Sequence, residues 1–535
     1  MEEKVVQSLP EREFQSANSS IISQVFRGIL VGLFVGGIVG LFRLMIEKSF
    51  HWIQSLYEKS HENLIFLVII LILYLLIMFL VAWLMKSEKN IKGSGIPQVE
   101  AELKGLMSLD WWSVLWKKFL AGFLAISSGL MLGREGPSIQ LGAVGGKGLA
   151  KWLKLSPVEE RVLIASGAAA GLAAAFNAPI AGLLFVVEEV YRHFSKLFWI
   201  STLVASLVAN FVSLVIFGLT PVLDMPDNIP AMQLEQYWIY LLMGLFLGIS
   251  GYVYEKVVLY MPDLYKKIGK ILHLSPNYYP AVAFVLIIPL GYFLPQILGG
   301  GNQLILSLHS HNYLLTSLIA FFLIRFIWSM ISYGSGLPGG IFLPILALGS
   351  LLGAIVGNIC VQFGLVSWNQ FPIFIILGMS GYFGAISKAP LTAMILVTEM
   401  VGDIRNLMPI AIVTLTAYII MDLLGGAPVY EAMLERMLPD NIGDDGETTL
   451  IEIPVSEKIS NRQVRDLNLP PDILIVMNIH KGKKNTVNGS TKLYLGDTIY
   501  LVVKQHEIGN SPSIEAGAHR NDSGDSMNVA GIHIL

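Results

Sequence analysis

The chain is 535 residues long; 54% of its residues are hydrophobic and only 14% are charged. Soluble domains carry roughly 25% charged residues, so this composition excludes an ordinary soluble protein and predicts an integral membrane protein. The formal net charge of -3 gives no basis for binding a nucleic-acid polymer. The single cysteine, Cys360, cannot form an intrachain disulfide.

The chain opens with a polar segment, residues 1–20, of mixed charge, in which we expect no cleavable signal sequence. Eight apolar runs that are candidates for crossing a bilayer follow it. These runs are Val25–Ile46, Leu64–Met85, Phe198–Leu219, Tyr237–Tyr254, Pro280–Leu298, Leu314–Ile331, Ile341–Leu365 and Met408–Leu424. Four lysines between positions 86 and 104 follow the second run, which predicts that this end and the N-terminus are cytoplasmic.

The first of three helix-opening turns is Gly93-Ser94-Gly95-Ile96-Pro97. Its glycines expose backbone amides, and Ser94 offers a hydroxyl donor. Pro97 suits the first turn of a helix, where backbone N–H groups have no intrahelical acceptor. Such turns are also common in ordinary loops, so the motif by itself is weak.

The second turn, Gly133-Arg134-Glu135-Gly136-Pro137, places two ionisable residues in an apolar region. Charged side chains at membrane depth are costly, so the pair is a candidate functional site. The free amides and dipole of a helix that starts here would attract an anion, and Glu135 would act as a tethered one. A structural Arg–Glu pair is the alternative interpretation.

The third turn has neutral donors only. It reads Pro338-Gly339-Gly340-Ile341-Phe342-Leu343-Pro344. The amides of Ile341 and Phe342 could donate to an anion. Three broken-helix starts with neutral donors suit a permeating anion, because they replace hydration without the full positive charge that would trap the ion.

Two ordered sets of residues recur in the second half of the apolar region. The first set is Gly133, Pro137, Leu141, Gly142 and Gly146, repeated as Gly340, Pro344, Leu348, Gly349 and Gly353; the second is Ala178-Pro179, Val186 and Glu188, repeated as Ala389-Pro390, Val397 and Glu399. This symmetry predicts an all-α transporter whose site lies between two repeats, at about 21–220 and 235–438. It leaves open whether the repeats are inverted.

Two neighbouring carboxylates end the apolar stretch of the first repeat. Side chains of adjacent helical residues point about 100° apart, so Glu188 and Glu189 cannot serve one purpose. Glu188 has a repeat partner, Glu399, which favours a structural role such as bonding backbone amides. Glu189 has none, because position 400 is Met. Glu189 is therefore a candidate proton relay, with a carboxylate at the lipid interface as the alternative. Tyr430 follows the last apolar run as an interface-belt tyrosine by default.

Composition changes near position 439. Thr448–Val455, Ile473–His480 and Thr498–Lys504 are predicted strands, with a polar turn at Lys483–Thr491. A short helix from Ser460 to Leu467 is predicted between the first two strands. These elements predict a small soluble α+β domain, 448–505, which is too small for a comfortable core and suggests pairing with a second copy. The tail 509–535 is predicted to be disordered.

Taken together, residues 20–438 closely resemble the CLC family of chloride channels and proton-coupled chloride transporters. The resemblance rests on the three turns Gly93–Pro97, Gly133–Pro137 and Gly340–Pro344, with Glu189 and Tyr430, in family order. It implies a homodimer with a separate pore in each subunit, built from inverted repeats, in a bacterial plasma membrane with both termini cytoplasmic. No cofactor or metal is expected.

The resemblance also implies roles for residues. Ser94, Tyr430 and the amides of Ile341 and Phe342 would bind the central chloride. Glu135 would be the external gating glutamate, and Glu189 the internal proton-transfer glutamate. Serine at position 94 matches chloride-selective members, and the Gly-Ser-Gly-Ile-Pro pattern disfavours the fluoride exporters. Family channels generally lack an acidic residue at position 189, so the resemblance favours an exchanger.

The tail contains, in this order, Leu469-Pro470, Ile475-Val476, Leu493-Tyr494-Leu495-Gly496-Asp497-Thr498 and Leu501-Val502. This pattern resembles the TrkA-C (RCK C-terminal) module of potassium-transport regulators. Such modules dimerise, and some bind cyclic di-AMP at the dimer interface. The residues that would line this site are Ile475, Met477, Asn478, His480 and Lys481. A dimer-stabilising appendage without a ligand is the alternative interpretation.

Two other function classes were weighed. Gly248-Ile249-Ser250-Gly251 and Gly378-Met379-Ser380-Gly381 match the Gly-x-Ser-Gly pattern of intramembrane serine proteases. That chemistry needs a base beside the serine, and all ten histidines lie outside the apolar runs. We therefore reject an enzyme and attribute both matches to small residues at helix interfaces. A passive chloride channel is the closer rival.

Overall fold

The computed structural model describes residues 9–190, 196–226, 229–230 and 232–438, and in the tail 448–455, 459–467, 469, 473–480, 483–504, 527–529 and 532–534. The chain divides into two compact units, Met1–Leu434 and Glu435–Leu535. The first unit is helical, and the second contains the strands.

Eight helices precede residue 220. They are α1 Leu9–Ser60, α2 Ile65–Ser87, α3 Ile96–Leu103, α4 Trp111–Ser127, α5 Glu135–Trp152, α6 Pro157–Phe176, α7 Pro179–Phe185, which continues as the π-helical turn Val186–Val190, and α8 Lys196–Phe217. Nine helices follow. They are α9 Trp238–Ile271, α10 Pro280–Phe293, α11 Asn302–Ser310, α12 Leu315–Gly334, α13 Phe342–Gln362, α14 Phe371–Ser387, α15 Pro390–Val401, α16 Leu407–Leu423 and α17 Val429–Met437. Helices α1–α8 thus correspond one by one to α9–α16.

The correspondence extends to helix ends. Helix α6 ends at Asn177 (φ 54°) and α14 at Lys388 (φ 53°), both left-handed residues that precede an Ala-Pro pair. Helices α3 and α11 begin after left-handed glycines, Gly95 (φ 92°) and Gly301 (φ 118°). A left-handed residue stops or starts a helix because it breaks the run of right-handed dihedrals. The two halves therefore have the same local stops as well as the same helices.

The repeated glycines lie where helices cross. At Gly146 of α5, a side chain would collide with the backbone carbonyl of Leu163 on α6; at Gly353 of α13, it would collide with that of Phe374 on α14. Small residues let apolar helices approach closely, which replaces the hydrophobic driving force that lipid does not supply. The repeated motif is thus explained by packing.

Nine helical segments within the described residues are long and apolar enough to cross a membrane. Eight of them overlap the predicted runs. The ninth, Trp368–Ser387, was missed because Gly378, Ser380 and Gly381 interrupt its apolar residues. In its most apolar stretch of 18 residues, 94% is buried inside the protein, so this is a core helix. The predicted N-terminal segment 1–20 falls partly within α1, and residues 1–8 lie outside the described part.

The tail unit contains β1 Thr448–Pro454, β2 Ile473–His480, β3 Lys483–Thr486 and β4 Thr498–Lys504, in an antiparallel sheet of order β1-β4-β2-β3. Its core is formed by eight buried apolar residues: Ile453, Val455, Leu467, Ile473, Ile475, Leu493, Ile499 and Leu501. A further antiparallel pair joins β5 Met527–Val529 to β6 Ile532–Ile534.

The three predicted strands of the tail are confirmed, and two other predictions are corrected. The predicted turn at Lys483–Thr491 begins with β3, because Met477 to His480 of β2 pair with these residues. The predicted helix from Ser460 is only the 3-10 turn Val464–Leu467. The tail 509–535, predicted to be disordered, includes strands β5 and β6, and its other residues lie outside the described part.

Candidate anion site and gating carboxylates

The three predicted turns lie together and are joined by backbone hydrogen bonds. Gly133 and Gly340 exchange two N–H···O bonds of 2.7 Å as an isolated antiparallel bridge. The Gly339 N–H donates to the Gly93 carbonyl at 3.0 Å, and the Gly93 N–H donates to that of Gly336 at 3.3 Å. The third turn therefore holds the other two, although they are far apart in sequence.

Helices α3, α5 and α13 start from these turns, at Ile96, Glu135 and Phe342. The first N–H groups of each helix have no intrahelical acceptor, so three sets of donors and three dipoles are brought to one region. Pro97 lies in the first turn of α3. This is the arrangement that the glycine and proline pattern predicts.

Ser94 and Tyr430 are both buried, with 1% and 0% exposure. Ser94 Oγ accepts a bond from the Ile96 N–H at 3.3 Å, so the hydroxyl caps α3 and keeps its own proton for another acceptor. The Tyr430 hydroxyl has no hydrogen-bond partner within the described part of the chain. Leaving a buried hydroxyl unpaired is costly, so this group is available to a ligand.

Phe342 connects the third turn to Tyr430. Its ring is tilted by 33° against Phe383 with centroids 4.2 Å apart, and it meets Phe176 at 5.2 Å and Phe185 at 5.9 Å. Phe185 in turn lies edge-on to Tyr430 at 6.2 Å. The aromatic cluster makes an apolar wall beside the helix starts, where electrostatic interactions are weakly screened.

Glu135 is completely buried. A side chain at Gly133 would collide with Glu135 Oε2, and the Leu343 N–H borders the same space. A side chain at Gly136 would meet the Ser94 Cβ and carbonyl oxygen at 2.9 Å, so the second turn packs directly on the first. The carboxylate therefore lies among the donors of the helix starts, in the position suited to an anion.

Arg134 is held away from Glu135 by another acid. Its Nη1 lies 2.6 Å from Glu47 Oε1, and Arg43 Nε lies 3.0 Å from the same oxygen. Arg134 Nε is 3.9 Å from Glu135 Oε1. Arg134 and Glu47 also line a cavity of ≈ 150 Å³ whose wall includes Leu343. The cavity thus reaches a residue that borders the Glu135 site.

Glu188 and Glu399 confirm the structural role predicted from their repeat. Glu188 accepts from the Leu391 N–H at 3.1 Å and from the Thr392 N–H and hydroxyl, both at 2.7 Å. Glu399 accepts from the N–H groups of Ile180 and Ala181 at 3.1 and 2.8 Å. Each carboxylate caps the corresponding helix of the opposite half.

Glu189 is a second buried carboxylate of the first half. It is 2% exposed and lies in the π-helical turn Val186–Val190. With Glu135, which is 0% exposed, the first half therefore buries two carboxylates that have no acidic counterpart in the second half.

Two residues beside Ser94 were not predicted from the sequence. Lys118 is fully buried, and its Nζ donates to the carbonyls of Ile91 and Gly93 at 2.9 and 2.8 Å. The Tyr333 hydroxyl donates to Met433 Sδ at 3.1 Å and borders Gly93, where an added Cβ would lie 3.5 Å from it. A lysine among apolar residues was a signal for the first; nothing local distinguishes Tyr333 from other tyrosines.

The two protease-like serines are bonded as ordinary helix residues. Ser250 Oγ donates to the Phe246 carbonyl at 2.8 Å, and Ser380 Oγ shares a bond of 2.7 Å with Thr414 Oγ1. Neither bond supplies a base, so these contacts agree with rejection of the protease.

In the tail, Asp497 organises two of the predicted ligand residues. It accepts from Asn478 Nδ2 at 3.0 Å and is 2.7 Å from His480 Nδ1. Burial alone would raise the pKa of Asp497, but these hydrogen bonds hold it below its usual value. Ile475 is 4% exposed and belongs to the tail core, and Asn478 is 2% exposed; the predicted ligand roles of both stay predictions. Met477 is half-buried, and Lys481 lies outside the described residues.

Comparisons with known proteins agree on one family. The model of the voltage-gated chloride channel family matches residues 77–422. The H(+)/Cl(-) exchange transporter ClcA of Vibrio parahaemolyticus is 34% identical over 442 residues, covering 80% of this chain and 93% of that protein. ClcA of Vibrio vulnificus is 33% identical over 444 residues, covering 80% and 93%.

Solved structures show the same fold. A slow cyanobacterial Cl-/H+ antiporter has a TM-score of 0.73 at 29% identity, covering 77% of this chain and 97% of that one. A CLC-type fluoride/proton antiporter has a TM-score of 0.63 at 21% identity, covering 75% and 96%, and supports the fold alone. The chain is therefore a multi-pass membrane protein of the voltage-gated chloride channel, or CLC, family.

Proposed function

We propose that this protein exchanges chloride for protons across a membrane. The observation that carries the proposal is the pair of buried carboxylates in the membrane unit, Glu135 and Glu189, which are 0% and 2% exposed. A passive anion pore has no use for two buried acids, whereas a proton path needs groups that take up and release protons. The similar proteins named above as exchange transporters support the same function.

The anion would bind where the three turns meet. Ser94 and Tyr430 would donate hydroxyl protons, and Ile341 and Phe342 would donate backbone amides. The other residues of the turns build the scaffold for these donors: Gly93, Gly95, Ile96, Pro97, Gly133, Arg134, Gly136, Pro137, Gly340, Leu343 and Pro344. The two hydroxyls and two backbone amides that would donate to chloride are all neutral. They stabilise chloride enough for it to enter the site and bind it weakly enough for it to leave.

Glu135 would act as the gate. When ionised, its carboxylate competes with chloride for the donors of the helix starts, because both are anions. When protonated, it loses the charge that these donors favour, and chloride can take its place. Each protonation is thereby linked to the passage of an anion, and Glu189 would carry the proton between Glu135 and the other side of the membrane.

Reconstituted protein tests the proposal directly. In liposomes with opposing chloride and proton gradients, the reversal potential is expected to depend on both gradients. A reversal potential that follows chloride alone would establish the passive channel instead.

The assembly would be a homodimer of two pores, each built from inverted repeats, with both termini cytoplasmic. The basic residues that follow α2 support this orientation. Accessibility of single cysteines placed at residues 104 and 460 in a Cys360→Ser background would test the orientation, and the mass in detergent would test the dimer.

The tail would be a TrkA-C-like regulatory module that binds cyclic di-AMP. The support is the residue pattern of the tail strands and the polar pair Asn478 and His480 on β2, both held by Asp497. Full-length protein titrated with cyclic di-AMP by calorimetry should release heat, and Asn478→Ala should weaken binding. If no heat appears and removal of residues after 438 leaves flux unchanged, the tail is an appendage.

A further inference from the structure

An ion-pair bridge joins the two helices whose starts carry the proposed hydroxyl ligands. Lys104, the residue that ends α3, places Nζ 3.0 Å from Glu100 Oε1 and 3.5 Å from Glu431 Oε1. Glu100 belongs to α3, which starts beside Ser94. Glu431 lies in the first turn of α17 and directly follows Tyr430. One ammonium group thus spans from the Ser94 helix to the Tyr430 helix.

The charges of the ion-pair bridge lie at helix ends, where they are stabilising. A cation at the C-terminal end of α3 and an anion at the N-terminal end of α17 each interact favourably with the nearby helix dipole. The Glu100 side chain is 1% exposed, whereas those of Lys104 and Glu431 are 28% and 24% exposed. The lysine therefore compensates a buried carboxylate and still reaches the neighbouring helix at a half-buried position.

A second contact joins the same two regions. The Tyr333 hydroxyl borders Gly93, the residue before Ser94, where an added Cβ would lie 3.5 Å from it, and it donates to Met433 Sδ at 3.1 Å. Met433 lies one helical turn after Tyr430. Between them, Tyr333 and Lys104 attach α17 to the Ser94 region at two points. Helix α17 has only nine residues, so its few lateral contacts decide where Tyr430 lies.

We infer that Lys104, by pairing with Glu431, is a positioning residue that sets the separation of the Ser94 and Tyr430 hydroxyls and so tunes chloride binding. The inference rests on the proposed role of these two hydroxyls. Lys104 itself touches no anion in this account; it acts through the position of α17.

The alternative is that Lys104 acts only through its charge, by attracting chloride. The two roles predict opposite results for Glu431→Gln. If the charge alone matters, Lys104→Gln weakens chloride binding and Glu431→Gln strengthens it, because a negative charge is removed. If the bridge positions α17, both variants weaken binding, and the double variant is no weaker than either single one.

Calorimetric titration of chloride into the full-length protein, at constant ionic strength maintained with gluconate, measures these affinities. We expect Lys104→Gln and Glu431→Gln each to weaken binding by about 2- to 5-fold, the range typical of half-exposed ion pairs. The matched control is Arg27→Gln, which breaks another interhelical pair, Arg27–Glu159, with side chains 17% and 35% exposed. All three variants should lower the melting temperature slightly, but the control should keep wild-type affinity.

Opposite shifts in the two single variants, additive effects in the double variant, or affinities equal to that of the control would each overturn the inference. Tyr430→Phe separates its failure from that of the proposed site. If Tyr430→Phe weakens binding while the bridge variants do not, only the bridge is wrong. If Tyr430→Phe binds chloride normally, the proposed anion site is wrong.

Discussion

The two halves of the membrane unit share a scaffold and differ in its chemistry. The glycines at helix crossings and the capping acids Glu188 and Glu399 occur in both halves. The carboxylates proposed to carry protons occur in only one. Glu135 corresponds by spacing to Phe342, whose ring packs in an aromatic cluster, and Glu189 corresponds to Met400.

This difference separates two kinds of constraint. A residue present in both halves has a counterpart with the same neighbours, so its role is to hold helices in place. A carboxylate present in one half only has no such structural explanation and is buried at a cost. Changes at repeated positions should therefore affect folding, whereas changes at the two unrepeated acids should affect transport.

The largest effect on folding is expected where neighbouring helices pack most closely. Gly146→Val and Gly353→Val each drive a side chain into a backbone carbonyl of the neighbouring helix, which cannot move aside cheaply. We expect both variants to yield little monodisperse protein by size-exclusion chromatography. Gly37→Ala is the control, because a methyl group there meets nothing within 4 Å. Normal yields of either valine variant would break the assignment of these glycines to packing.

The next effect concerns the capping acids. Glu188→Gln and Glu399→Gln replace charge-assisted bonds to backbone amides, which contribute about 1.5–3 kcal/mol each. Both should lower the melting temperature in detergent, and Glu188→Gln should lower it more, since Glu188 also accepts from the Thr392 hydroxyl. Glu189→Gln is the matched comparison and should melt close to the wild type. A normal melting temperature for either capping variant would contradict their shared structural role.

The anion ligands should give smaller, graded effects. A single neutral hydrogen bond contributes about 1 kcal/mol, so Ser94→Ala and Tyr430→Phe should each weaken chloride binding several-fold without abolishing it. Tyr430→Phe also removes an unpaired buried hydroxyl, so its melting temperature without chloride should not fall. Calorimetric titration of chloride into each variant measures the two affinities. Wild-type affinity in both variants would remove these hydroxyls from the site.

The smallest effect is expected in the tail. The folded pKa of Asp497 is lowered, so its contribution to stability is complete above the unfolded pKa of about 3.9 and disappears as pH falls through the folded value. The protection factors of the β4 amides in the full-length protein, which correct for the pH dependence of the intrinsic exchange rate, should therefore fall below about pH 4. Asp497→Asn should lose this acid dependence, whereas the exposed Asp466→Asn should keep it. An unchanged profile in Asp497→Asn would remove its role.

Local patterns predicted much of this molecule. Turns and strands depend on short-range residue preferences, so the three helix-opening turns and three tail strands could be identified in the sequence. The capping role of Glu188 could be predicted because its repeat partner Glu399 revealed it. Helices α5 and α6 were not among the eight predicted apolar runs, since buried helices packed through glycine and alanine need little hydrophobicity of their own.

Contacts between distant residues could not be predicted. The hydrogen bonds between Gly133 and Gly340 join turns more than 200 residues apart, and no local feature encodes them. For the same reason Tyr333 was missed, although its hydroxyl borders Gly93, the residue before Ser94. The place of Ile475 in the tail core was not predicted either, because strand alternation does not tell which face of a small sheet its own core covers.

The most direct test of the account is proton movement driven uphill by a chloride gradient in liposomes. The wild type should change the luminal pH against the proton gradient, in the direction set by the chloride gradient. Glu189→Gln should move chloride without protons. Glu135→Gln should also move chloride without protons, at a rate that does not depend on pH. Both variants should remain folded, since neither acid belongs to the repeated scaffold. Proton pumping that persists in Glu189→Gln, or wild-type pH dependence in Glu135→Gln, would contradict the claim that the two unrepeated carboxylates couple protons to chloride.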